Sequence, residues 1–320
     1  MDPLTRLTSG IKLCHTQTVP RHLVHRTAVA EVFPTDSVAD GDRLFVACQL
    51  PAGHALYNDR AQPCVDPLLI LEAARQSAIL CCLRHLGAAP DACFVVRSAE
   101  LHILQPLRND PGDPPWDVVF HCRLNDRRTF DEVLAGGTLQ MTLHAGGTAV
   151  AWISFAFSAL APALYRSLRA PGMRRAQYYS PETPPRYRPF EPHELGRKNA
   201  DNVVVAAPDA GTPRDWPVIV RTDHPGFFDH PLDHVSAAVM VEACRQAAQA
   251  ACPTLGVSGD LASMHATFTD FAELGLPLYA RVADAASAEQ EEANRTVSLM
   301  QLGVSIATVE VTLRDTSEIA

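Results

Sequence analysis

Two stretches of this chain read alike: "DPLLILEAARQ", Asp66 to Gln76, and "SAAVMVEACRQ", Ser236 to Gln246. A histidine precedes each, His54 and His224. The matches of His54, Glu72, Arg75 and Gln76 with His224, Glu242, Arg245 and Gln246 share one offset of 170 residues. A gapless repeat at this distance means a duplicated domain, because solenoid units run to only about 20–50 residues. The 320 residues suit two domains of ordinary size.

Each copy holds a helix signal. Asp66 is a good N-cap, Pro67 suits the first helical position and Gly87 ends the run near Leu86. The second helix runs from Ser236, also an N-cap type, to about Ala251, before Pro253. Both are apolar on nearly every side, the mark of a buried helix. Strand-like runs follow the first helix at Cys93–Leu104, Asp117–Leu124, Thr138–His144 and Thr148–Ser158, after one at Arg43–Leu50. In the second copy the candidates are Asn202–Ala207, Val218–Thr222, Ala262–Phe271, Pro277–Ala283, Thr296–Gln301 and Val304–Arg314. A buried helix followed by antiparallel strands predicts an α+β double hotdog. In it, two tandem sheets each wrap a central helix and pack as a pseudo-dimer. The boundaries read as an arm over 1–21, repeat 1 over 22–160, a Pro/Arg-rich linker over 161–193 and repeat 2 over 194–320.

Glu72, Arg75 and Gln76 are spaced i, i+3, i+4 and share one helix face, as do Glu242, Arg245 and Gln246. On a surface such a pair contributes a few tenths of a kcal/mol. In a core each ion costs several kcal/mol unless it is paired and hydrogen-bonded. Two readings follow: a structural ion pair, or a polar cluster facing a ligand. Keeping the pattern in both copies favours the second. The segment before each helix would line an entrance. The second, "DHPGFFDHPLDHV", holds His224, Asp229, His230, Asp233 and His234, whereas the first has Arg60 and Cys64 in place of the last two histidines. The second site is therefore the richer. His230 and His234 lack an evident third metal ligand, and Cys244 reads as a small buried thiol.

The net charge of −9 argues against a nucleic-acid partner. Nine cysteines without a Cys-x-x-Cys pair read as reduced thiols of a cytoplasmic protein. The N-terminus has no signal-like apolar region. The run Ala149–Leu164 contains Ser154, Ser158 and Pro162, which suits a buried strand and its exit rather than a membrane span. From Arg166 to Lys198 there are eight positive and three negative residues. That segment is either a solvated connector or a docking surface for an acidic partner such as an acyl carrier protein. There is no nucleophile elbow, phosphate loop or dinucleotide fingerprint.

These residues, with "LVHRTAVAEVFPTD" (Leu23–Asp36), "CQLPAGHALY" (Cys48–Tyr57), "LGRKNADNVVVAAP" (Leu195–Pro208) and "HPGFFDHPLDHVSAAVMVEACRQAA" (His224–Ala248), resemble the A-factor biosynthesis hotdog family of actinomycetes. The resemblance implies an acyltransferase that joins a β-ketoacyl group from an acyl carrier protein to dihydroxyacetone phosphate. The ester is a precursor of a γ-butyrolactone- or butenolide-type signalling molecule. No metal or redox cofactor is implied, and the helix residues Glu72, Arg75, Glu242 and Arg245 carry the family's functional positions. Ser236-Ala237 departs from the Pro-Gly expected there. The chemistry expected of these residues agrees: Glu242 as proton acceptor, Arg245 as phosphate fork, His230 or His234 assisting, and the helix N-terminus holding the oxyanion. Gln76, Gln246, His54, His224, Asp229, Asp233 and Ser236 are the expected substrate-binding set. A thioesterase or dehydratase, or a non-catalytic acyl-binding protein, are the alternatives.

Overall fold

The computed structural model describes residues 11–179, 187–208, 211–252, 259–283 and 292–315. Most of the expected arm (1–10) and part of the expected linker (180–186) lie outside these. The chain divides into two compact units. The first comprises 1–58 and 64–165, the second 59–63 and 166–320.

In the first unit the order is β1 (Pro34–Asp40), β2 (Arg43–Leu50), α1 (Pro67–Arg84), β3 (Cys93–Ile103), β4 (Trp116–Phe130), β5 (Val133–Ala145) and β6 (Thr148–Leu160). The strands form an antiparallel sheet in the order β1-β2-β4-β5-β6-β3. Asp66 caps α1 by accepting from Leu68 N at 2.9 Å. Fourteen of the eighteen α1 residues are buried, so the helix is the centre of the unit rather than a surface layer. Leu69, Ala73 and Leu80 lie in the core with Phe45, Phe120 and Leu143 of the sheet. The sheet strands alternate buried and outward residues, most regularly in β6.

The second unit repeats this plan. The helix between the copies is α2 (Pro162–Tyr178); then come β7 (Asp215–Pro217), α3 (Ala237–Ala250), β8 (Gly259–Phe268), β9 (Leu278–Val282), β10 (Glu292–Gln301) and β11 (Val304–Asp315). Its antiparallel order, β7-β9-β10-β11-β8, matches β2-β4-β5-β6-β3 strand for strand. Each repeat is thus a hotdog, a sheet around one helix. Ser236 caps α3, its Oγ accepting from Val239 N at 3.3 Å.

Three expectations change. The strands flanking residues 125–137 run on into a long hairpin, whose tip residues Asp131 and Glu132 both have positive φ. That is the pattern of a tight two-residue turn, without its usual Asn-Gly signal. Second, Asn202–Ala207 and Val218–Thr222 form only the single bridges Pro189↔Ala206 and Val205↔Val218. The nearby prolines, Pro208, Pro213 and Pro217, offer no N–H to a ladder. Third, the linker begins as a helix, and its Arg169 and Gly172 are buried.

Candidate functional site

The helix glutamates lie where an unpaired charge could not persist. Glu72 receives Arg75 Nε at 2.8 Å and Nη2 at 2.9 Å, Gln76 Nε2 at 2.7 Å, and a further bond from Arg26. Burial alone would raise its pKa, but the charges of Arg26 and Arg75 and these hydrogen bonds hold it well below the usual carboxylate range. Glu242 receives Arg197 Nη2 at 2.6 Å, Arg245 Nη2 at 2.6 and 2.9 Å, and Gln246 Nε2. The Glu242 side chain is 1% exposed and that of Arg245 6%, whereas Arg75 keeps 30%.

Each glutamine extends its cluster identically. Gln76 Nε2 donates to Glu31 O at 2.7 Å and its Oε1 accepts from Phe33 N at 3.0 Å. Gln246 Nε2 donates to Asn202 O at 2.8 Å and its Oε1 accepts from Val204 N at 2.9 Å. The glutamines thus pin the chain preceding each helix to that helix.

The preceding histidines close the motif. His54 Nδ1 accepts from Leu56 N and Tyr57 N at 3.1 and 3.3 Å; His224 Nδ1 accepts from Gly226 N and Phe227 N at 3.2 and 3.3 Å. With Nδ1 accepting, the proton sits on Nε2. In the first repeat Nε2–H donates to the Glu31 carboxylate at 3.3 Å. In the second it donates to Asn202 Oδ1 at 2.9 Å, and Asn202 Nδ2 donates to Asp59 Oδ2 at 2.7 Å. Burial and the charge of Arg221 push the His224 pKa down. Both ring nitrogens of each histidine are thus occupied, by its own loop and by Glu31 or Asn202.

Asp59 lies in the sequence of the first entrance, but the segment 59–63 packs in the second unit. Its carboxylate accepts from Lys198 N and Asn199 N, both at 3.1 Å, besides Asn202. Its neighbour Arg60 pairs with Asp260 at 2.5 Å, both buried.

The remaining expected residues lie just before α3. His230 Nδ1 is 3.5 Å from Asp229 Oδ2. His234 Nδ1 is 2.6 Å from Asp233 Oδ1, and Asp233 Oδ2 accepts from Arg169 Nε at 3.2 Å. Burial pushes the His234 pKa down. Ser236 is the helix cap. Cys244 is buried and its thiol pKa is raised by burial, which suits packing and not nucleophilic attack.

Arg26, Glu31, Arg197, Asn202, Arg169 and Glu273 were not singled out from the sequence. One signal was available for four of them. Arg197, Asn202 and Val204 lie 171 residues after Arg26, Glu31 and Phe33, one more than the helix offset. A search without gaps misses that register.

The model of the A-factor biosynthesis hotdog domain matches this sequence twice, over residues 12–161 and 179–317. The chain belongs to the A-factor biosynthesis hotdog family. Within this family it is 34% identical, over 82% of its length and 86% of the relative's, to a 2-oxo-3-(phosphooxy)propyl 3-oxoalkanoate synthase of Streptomyces virginiae. It is 29% identical, over 87% of its length and 85% of the relative's, to the protein of the same name from Streptomyces griseus subsp. griseus. The hotdog fold is shared with solved structures named for an oleoyl thioesterase of Lactobacillus plantarum (TM-score 0.51, 14% identity, 87% of this chain and 98% of that one) and a thioesterase II of Thermobifida fusca (TM-score 0.50, 14% identity, 88% and 97%). No helix among the described residues is long and apolar enough to cross a membrane.

Proposed function

We propose that this chain is an acyltransferase making a 2-oxo-3-(phosphooxy)propyl 3-oxoalkanoate. The hydroxyl oxygen of dihydroxyacetone phosphate attacks the carbonyl carbon of a β-ketoacyl thioester. The carbon–sulfur bond breaks, the hydroxyl proton passes to a protein base, and the thiol leaves. The ester then serves as precursor of a γ-butyrolactone-type signal. The observation that carries this reading is kinship with synthases of that name over more than four-fifths of the chain.

We assign the chemistry to the second repeat, where the histidine-rich entrance meets the N-terminus of α3. That helix end supplies N–H groups and a partial positive charge for the oxyanion. Glu242 serves as a fixed anion that holds Arg197 and Arg245 in place. Its oxygens already accept from both arginines and Gln246, so taking the hydroxyl proton would break that network. The base is therefore sought among the entrance histidines.

The acyl donor in this reading is an acidic acyl carrier protein. Its support is the excess of arginines around α2, of which Arg166, Arg174 and Arg175 are exposed while Arg169 and Arg197 are buried in ion pairs. Nine free thiols suit a cytoplasmic site of action. Mass spectrometry of the chain incubated with β-ketoacyl carrier protein and dihydroxyacetone phosphate tests the reading. The expected product is the phosphorylated ester. Free β-keto acid at a rate indifferent to the acceptor would overturn it in favour of a thioesterase.

A further inference from the structure

One group in the second unit is more completely built than the framework requires. Arg169, on α2, is 1% exposed. Its guanidinium forks onto Glu273, Nη1 to Oε1 at 2.6 Å and Nη2 to Oε2 at 2.8 Å. The same cation reaches the entrance: Nε donates to Asp233 Oδ2 at 3.2 Å and Nη2 to the Asp233 carbonyl at 2.8 Å. It also lies over the Phe271 ring, 4.5 Å from its centroid. Glu273 is fixed in turn, its N–H donating to Gln301 Oε1 at 2.8 Å and its carbonyl accepting from Gln301 Nε2 at 3.1 Å. α2 can come this close only because residue 172 is glycine: a Cβ there would stand 1.9 Å from Glu273 Oε1.

The end of this chain of contacts is an imidazole. Asp233 Oδ1 accepts from His234 Nδ1 at 2.6 Å, and the edge of Phe271 meets the His234 ring at 5.0 Å. A carboxylate on Nδ1 puts the proton there and leaves Nε2 as the lone-pair nitrogen. Nε2 has no hydrogen-bond partner among the described residues, and the side chain keeps 23% exposure. His54 and His224 have the opposite arrangement, with Nε2 protonated and bonded.

We propose that Asp233 and His234 are the proton-accepting dyad of the acyl transfer, with His234 Nε2 taking the acceptor's hydroxyl proton, and that Arg169 is the positioning residue that sets the dyad's geometry. This deepens the acyltransferase reading and rests on it. His234 also suits a base electrostatically: burial and Arg169 lower its pKa, against Asp233 and Glu273, which raise it. It is therefore unprotonated at neutral pH.

Nitrogen-15 NMR of the imidazoles, on the chain without substrate, checks the geometry. Wild type should show His234 protonated on Nδ1, and an Nε2–H tautomer sinks the dyad. His234→Asn should lower kcat by about 10²–10⁴-fold with KM for the β-ketoacyl carrier protein little changed. Arg169→Met should lower kcat and move the acid limb of the kcat/KM profile to higher pH, since it removes the cation that holds the imidazole pKa down. Arg169→Lys, which keeps the charge, should leave that limb near its wild-type position. A purely structural Arg169 would move stability and leave the limb in place. Ester formation by His234→Asn within threefold of wild type overturns the dyad alone. No ester from wild type, with any β-ketoacyl donor tried, overturns the acyl-transfer reading and the dyad's role in it.

Discussion

The two repeats solve one problem with different parts. Both set a Glu–Arg–Gln cluster on the central helix, add a second arginine from the preceding chain, and tie a histidine loop to the side chain of the residue whose carbonyl accepts from the glutamine. In the first repeat the histidine meets a carboxylate directly, Glu31. In the second the carboxylate is one link further away, Asp59 beyond Asn202. The second cluster is also drier, with Arg245 at 6% exposure against 30% for Arg75. Only the second has an entrance dyad: Pro63 and Cys64 stand where Asp233 and His234 would be, and no helix like α2 precedes the first repeat among the described residues. After duplication, one copy can keep the framework alone while the other adds the Asp233–His234 pair to it.

The largest expected difference comes from deleting the helix glutamates. Glu242→Ala removes the anion that two buried arginines share and should cost roughly 3–5 kcal/mol. Glu72→Ala should cost less, because Arg75 can turn to water. Urea unfolding of both variants measures this, and equal losses would break the comparison. Next is the link to the histidine. Asn202→Asp replaces the donor to Asp59 with a like charge and should cost on the order of 1–3 kcal/mol or more. Glu31→Gln keeps an acceptor for His54 and should cost under about 1 kcal/mol.

Acid sharpens the contrast in another way. The folded pKa of Glu72 is depressed, so the stability it contributes is present above about pH 4.5 and lost as pH falls toward its folded value. Glu72→Gln should flatten the stability–pH slope there. The His224 pKa is also depressed, so the unfolded chain takes up the proton first, and stability falls as pH drops below about 6.5. His224→Asn should remove that part of the slope, and an unchanged slope would rule His224 out as its source. The smallest effect is at a hairpin. The β5–β6 turn uses Gly146 and Gly147, both at positive φ, and the β10–β11 turn uses Leu302 and Gly303 in the same conformation. Leu302→Asn should raise thermal stability by about 0.5–1 kcal/mol, because asparagine tolerates the left-handed region better than leucine.

Much of this was legible beforehand. The helix caps at Asp66 and Ser236, the buried helices and the strands β2–β6 and β8–β11 follow from local pattern. The glutamate, arginine and glutamine of each site follow from the repeat. "PTDSVAD" of β1 carries no hydrophobic alternation, and it is pairing with β2 that makes it a strand. The proposal of Glu242 as a fixed anion rests on its donors, Arg197, Arg245 and Gln246, because a sequence shows that a carboxylate sits on a buried helix but not how many donors surround it.

By itself the sequence determines the duplication, the two buried helices, most of the strands and the inequality of the two entrances, since these depend on residue type and on spacing within a few turns or strands. The tertiary structure decided which charges meet. Arg26 joins Glu72 across 46 residues, Asn202 joins Asp59 across 143, and Arg169 joins Glu273 across 104. No periodicity encodes such pairs. Ionic contacts are set by where whole elements pack, and a buried charge is tolerated only where that packing delivers its partner.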